Sequence, residues 1–138
     1  MASFTNPPDL WQPFGAFSMV ALPGAGQAVR LKGQVALDAA GEIVGAGDMR
    51  AQVRQVLTNI ETALAGLGGG MADITELMQF TSDIEAFMAC GDIRAEFFEP
   101  PYPVTTTLEV SRLYDPALLI EITAGAEIPK ERFRAPGG

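Results

Sequence analysis

No histidine occurs among the 138 residues. Its absence removes the usual general base near neutral pH, the commonest metal ligand, and any Ser-His or Cys-His nucleophile pair. A histidine-based ribonuclease mechanism is excluded with them. Cysteine is nearly as scarce. Cys90 stands alone, so no intrachain disulfide forms and a structural zinc site is not expected. No apolar run approaches the roughly 20 residues that span a bilayer. The opening MASFTNPPDLWQPFG lacks the basic segment followed by an apolar one that marks a secretory signal. Basic residues are also few. Nine Lys and Arg against 17 Asp and Glu give a net charge of −8, the reverse of a chain that tracks phosphate backbones. The one basic cluster, Lys130, Arg132 and Arg134, reads as a solvated tail rather than a nucleic-acid arm. A soluble, cytoplasmic protein without nucleic-acid or membrane partners is expected. Its chemistry must rest on carboxylates, Lys, Tyr, hydroxyls and backbone groups.

What is present suits a packed core, with 48% hydrophobic and 19% charged residues. The length predicts one domain, 1–138, with an N-terminal arm over 1–14 and a C-terminal tail over 129–138. The arm, rich in proline and aromatics, reads as irregular. Residues 17–22, 28–33 and 34–37 read as strands punctuated by Pro23-Gly24-Ala25-Gly26 and Asp38-Ala39-Ala40-Gly41. Asp48 is placed to cap a helix reaching about residue 67, whose Met49, Val53, Val56, Leu57, Ile60, Leu64 and Leu67 form an apolar stripe. Gly66 and Gly68-Gly69-Gly70 stop it.

Residues 74–81 predict a central strand, apolar on both sides. Asp83 can cap a second helix whose Ile84, Phe87, Cys90, Phe97 and Phe98 face the core, which makes Cys90 an inert buried thiol. Two alternating strands close the chain. Val104, Thr106, Leu108 and Val110 interleave with Thr105, Thr107, Glu109 and Ser111. Leu118, Ile120, Ile122, Ala124 and Ala126 interleave with Leu119, Glu121, Thr123, Gly125 and Glu127. Period-two patterning predicts one buried face per strand, the apolar one, packed under the helices. The polar face is either solvated or an assembly surface. The order β-β-β-α-β-α-β-β predicts an α+β two-layer sandwich: a mostly antiparallel six-stranded sheet with two helices on one face.

Several segments together resemble the RidA (YjgF) family, formerly called L-PSP endoribonucleases. Leu31-Lys32-Gly33-Gln34-Val35 resembles its S-G-Q strand. Gly41-Glu42-Ile43-Val44, then Gln52 and Asn59, resemble its G-E-(I/V) turn and Q-x6-N helix. Phe80-Thr81-Ser82-Asp83 with Phe87, then Phe97-Phe98, Pro103, Val110-Ser111-Arg112-Leu113 and Ile120-Glu121-Ile122, are similar to its later motifs, in family order from about Gly15 to Ile128. The resemblance implies a chorismate-mutase-like fold and a homotrimer with small-molecule clefts between subunits. It also implies hydrolysis of imines or enamines to carbonyl compounds and ammonia without metal or organic cofactor.

Carried over by position, the family's catalytic Glu matches Glu121, expected to orient water. Its carboxylate-clamping Arg falls on Thr105, its N-terminal Tyr on Phe17, the Ser before Gly33 on Lys32, and a helix Asn on Gly91. Thr105 and Thr107 would line the cleft. Lys32 reads either as a substitute cation or as a solvated surface lysine; Glu121 reads either as the base or as an isolated strand carboxylate. Two functions follow: a divergent hydrolase of a small imine-like metabolite, or a non-catalytic trimeric binder of a small ligand.

Overall fold

The computed structural model describes residues 1–137. In chain order the elements are β1 (Ser3–Thr5), β2 (Val20–Leu22), β3 (Gln27–Arg30), α1 (Met49–Ala65), a 3-10 turn (Met71–Asp73), β4 (Ile74–Thr81), α2 (Ile84–Met88), α3 (Gly91–Arg94), β5 (Val104–Glu109) and β6 (Ile120–Ile128). The architecture is α+β. The helices cover one face of a four-stranded sheet ordered β3-β6-β4-β5, in which β4 and β5 run parallel and the other neighbours antiparallel.

Helix α1 starts where Asp48 accepts a hydrogen bond from the Ala51 N–H at 3.1 Å, satisfying an amide that the first turn leaves unpaired. Its stripe is buried from Met49 to Leu64 as the spacing predicts, with Leu67 half-buried in the turn beyond the helix, and joins one core with Leu77, Ile120, Ile122 and Ala124 of β4 and β6. The polar member Gln52 was read only as part of a family motif, yet it is fully buried. Its side chain donates to the carbonyls of Gly45 and Ala117 and accepts from the Leu119 N–H at 2.7 Å. One amide thereby ties the entry of α1 to the entry of β6. Asn59 and Gln55 similarly donate to the Leu37 carbonyl and hold the loop before the helix.

The helix ends at Gly66, and Gly68 follows at φ +80°, where a side chain would be strained and a Cβ would strike the Arg132 carbonyl. The basic tail is therefore docked here, not solvated as expected. Arg132 forks onto Asp73 at 2.6 and 3.1 Å and donates to the Gly68 carbonyl, while Arg134 donates to the Ala65 carbonyl. Unpaired carbonyls and the negative end of the helix dipole draw cations to that end.

The expected single six-stranded sheet is not what forms. Six strands form among the described residues, but β1 and β2 make a separate antiparallel pair. The arm read as irregular supplies β1, and the strand expected over 17–22 shortens to β2. The strand expected over 34–37 is reduced to isolated bridges at Gln34 and Leu37. Its cause is a bulge. The register passes from Arg30 opposite Gly125 to Gln34 opposite Ile122, one residue more on the first side, and the excess falls at Lys32-Gly33. The second helix is capped by Asp83 as read, but it breaks at Ala89-Cys90 into α2 and α3.

Strand β5 is turned over relative to the expectation. Register partners share a face, and Thr105, Thr107 and Glu109 pair with Leu77, Gln79 and Thr81, whose side chains are buried beneath the helices. Val104, Thr106 and Leu108 point to the open face. The reason lies in polar partners on the helix side: Glu109 accepts from the Ile84 N–H at the start of α2, and Thr107 accepts from Gln79. At this sheet edge those bonds outweigh burial of Leu108, which stays 45% exposed.

Two half-sites on opposite faces of one sheet

Glu121 lies on the open face of central strand β6, opposite Phe80 of β4. The Lys32-Gly33 bulge brings backbone against it. A Cβ on Gly33 would collide with the Glu121 carboxylate, so only glycine permits this approach. The carboxylate accepts no hydrogen bond from a described residue and is not sealed from solvent. The Gly33 N–H also has no backbone acceptor among the described residues. An acceptor pair and a free amide donor therefore sit side by side. Lys32, exposed, borders a groove of about 770 Å³ walled by Gln55, Asn59 and Thr62 of α1, which Glu121 does not line, so the structure does not bring Lys32 to Glu121 as a substitute cation would require. Phe17 packs on Phe14 and Trp11, with ring centroids at 5.3 and 6.0 Å. Its neighbour Ser18 bridges to Val104, which places this cluster at the outer edge of β5.

The second half-site faces the helices. Gln79, 1% exposed, donates from Nε2 to Thr107 Oγ1 at 2.8 Å and accepts at Oε1 from Arg94 Nη1 at 2.7 Å. The Arg94 guanidinium lies over the rings of Phe87 and Phe98, 5.5 and 6.0 Å from their centroids. Desolvation lowers its pKa, and no carboxylate among the described residues answers its charge. Thr105 shares the strand face with Thr107. Gly91 opens α3, and a Cβ there would meet no atom within 4 Å. Buried Cys90 donates weakly to the Ala86 carbonyl, and burial pushes its thiol pKa up, which removes it as a nucleophile.

Arg94 was not singled out by the sequence reading, although a signal was there. Phe87, Cys90, Arg94 and Phe98 recur at intervals of three and four, so a charge stands inside an apolar stripe. Two forked pairs fix α3 on α1: Arg50 with Asp92 at 3.0 and 2.7 Å, and Arg54 with Glu96 at 2.6 and 3.0 Å. The Arg50 hydrogen bond holds the Asp92 carboxyl at about 2. A lowered carboxylate pKa contributes stability that is complete above the ordinary value and is lost as pH falls toward the lowered one. In a carboxyl-carbon NMR titration Asp92 is expected to show no onset of protonation above about pH 3, and Arg50→Gln to return it to the ordinary carboxylate range. A wild-type midpoint near 4 would show that the fork does not persist in solution.

The structure thus brings Gly33 and Glu121 together, and separately Thr105, Thr107, Gln79 and Arg94. It does not bring the two groups together within one chain, because the sheet lies between them.

The α+β core with these motifs in this order is that of the Rid family, as comparison with known proteins shows. The family model described as endoribonuclease L-PSP matches residues 9–128. The chain belongs to this RidA/YjgF family. It is 35% identical over 114 residues to the RutC family protein PH0854 of Pyrococcus horikoshii, covering 82% of this chain and 87% of the relative. It is 28% identical over 102 residues to the 2-iminobutanoate/2-iminopropanoate deaminase of Dermatophagoides farinae, covering 74% and 78%. The crystal structure of YyfB from Yersinia pestis, a Rid family protein of unknown function, superimposes with a TM-score of 0.82 at 32% identity over 92% of this chain and 98% of that one. No helix among the described residues is long and apolar enough to cross a membrane.

Proposed function

We propose that the protein is a Rid-family hydrolase that converts a small imine or enamine to a carbonyl compound and ammonia, in clefts between the subunits of a homotrimer. The observation that carries this reading is the Glu121 carboxylate, held against the Gly33 backbone with no protein donor of its own. A carboxylate so placed can accept a proton from water as the oxygen adds to the imine carbon, and return it to the departing nitrogen. The bulge amide is a donor beside it. A cleft that holds both Glu121 and Thr105 must draw on two copies of the chain, one giving its open sheet face and the other its β5 edge. This is why the reading requires an oligomer. No metal or cofactor enters the chemistry. The replacement of the family's cation by Thr105 favours the second reading, a trimeric ligand binder without turnover.

Ammonia and ketoacid release from freshly generated 2-iminopropanoate and from neutral imines decides between them, with wild type and Glu121→Ala run side by side. Light scattering on the same samples should give a mass of three chains. Turnover that disappears in Glu121→Ala supports the hydrolase. No turnover on any imine favours the binder, and a stable monomer refutes the shared cleft.

A further inference from the structure

The geometry points to Arg94 as the anion-binding residue of the cleft: a guanidinium supplied by α3 that takes a substrate carboxylate at the place where Thr105 offers none. This deepens the proposed function and rests on it for the identity of the cleft. Four observations carry it. The guanidinium is half-buried, and its charge has no acidic partner among the described residues, an unusual state unless an anion joins it. Nη1 alone is hydrogen-bonded, and the other nitrogens keep access to solvent. One edge of the fork therefore remains open for a planar two-oxygen acceptor.

Gln79 then fixes the direction of the neighbouring donors. Its Oε1 must face the guanidinium, since the opposite orientation would set donor against donor, so its Nε2 donates to Thr107. Thr107 accepts that bond and keeps its own hydroxyl proton for a ligand. Thr105, two residues back on the same strand face, adds a further hydroxyl. The Phe87 and Phe98 rings lie against the guanidinium, and the forked pairs from α1 hold α3 in place. Donors from α3 and β5 thus flank one buried amide, Gln79, which bonds both. Lys32 borders a separate groove walled by Gln55, Asn59 and Thr62 of α1, which neither Arg94 nor Glu121 lines.

The test uses pyruvate, a non-reacting 2-ketoacid, as probe, with affinity measured by calorimetry on the assembled protein. KM for 2-iminopropanoate and for a neutral imine is measured in parallel. Arg94→Lys keeps the charge but loses the fork. It is expected to weaken pyruvate and raise KM for 2-iminopropanoate on the order of 10- to 100-fold, with kcat and the neutral imine little changed. A structural role for Arg94 would move melting temperature and both substrates together. Arg94→Lys/Thr105→Arg, which returns a guanidinium from β5, is expected to recover the affinity if the loss was one of anion binding. Wild-type protein that binds pyruvate without turning over imines retains the anion site and refutes only the hydrolase. Absence of wild-type pyruvate binding, equal binding by folded Arg94→Lys, or a loss found in Lys32→Ala alone would each overturn the assignment.

Discussion

Gln52→Leu is expected to destabilise the fold by about 2–4 kcal/mol, although leucine matches its volume and is the more apolar residue. The wild-type amide serves three backbone groups at once: the carbonyls of Gly45 and Ala117 and the N–H of Leu119. A leucine in its place leaves all three without a partner inside the packed layer, and each unsatisfied buried group costs about 1–3 kcal/mol before the backbone relaxes. The melting temperature should fall on the order of 10 °C. Gln55→Leu, one turn along on the part-buried side, should cost less than about 1 kcal/mol, since the groups it leaves can reach water. Equal melting curves for Gln52→Leu and wild type would show that Ala117–Leu119 finds other partners. The effect also bears on the site, because the residues Gln52 holds lead directly into β6 and Glu121.

Gly33→Ala tests the proposed catalytic half-site without altering Glu121 itself. The added methyl would lie within about 3 Å of the Glu121 carboxylate and side-chain carbons, so the carboxylate must rotate away. Turnover should drop about 100-fold, the usual consequence of moving a reacting group by an ångström. Stability should change by less than about 1 kcal/mol, because alanine also restricts the unfolded chain and the displaced side chain is at the surface of the sheet. Combined with Glu121→Ala, the substitution should add almost no further loss, since both act through one side chain. Full additivity would mean that Gly33 matters for its backbone alone.

Where local chemistry decides the outcome, the sequence is explicit. The Asp48 and Asp83 caps, the α1 stripe, the β4 run and the buried face of β6 all appear where spacing and composition put them. Where the outcome depends on a distant partner, it is silent or misleading. Alternation in β5 announces two faces but not which one meets the helices. The Ile84 amide and Gln79 decide that, and neither adjoins β5 in sequence. The bulge at Lys32-Gly33 arises from register against β6, roughly ninety positions away. Arg94 was hidden differently: its stripe was read for the residues that fit it, and the charge that did not fit is the informative one. Glu121 and Gly33 were legible through family resemblance, but their mutual approach was not.

The sheet order also governs when this chain can fold. β6 is an inner strand, yet it is the last to be made, and β3 pairs with it from roughly a hundred positions away. During synthesis β3 emerges with no neighbour, and the stripe of α1 meets only β4 and then the parallel edge β5. The Gln52 amide waits for Ala117 and Leu119 just as Gly33 waits for Glu121. A nascent chain halted short of β6 can pair β4 with β5 and dock α3 on α1, but β3 has no partner strand, and the contacts that bring Gly33 to Glu121 are among those that complete the fold.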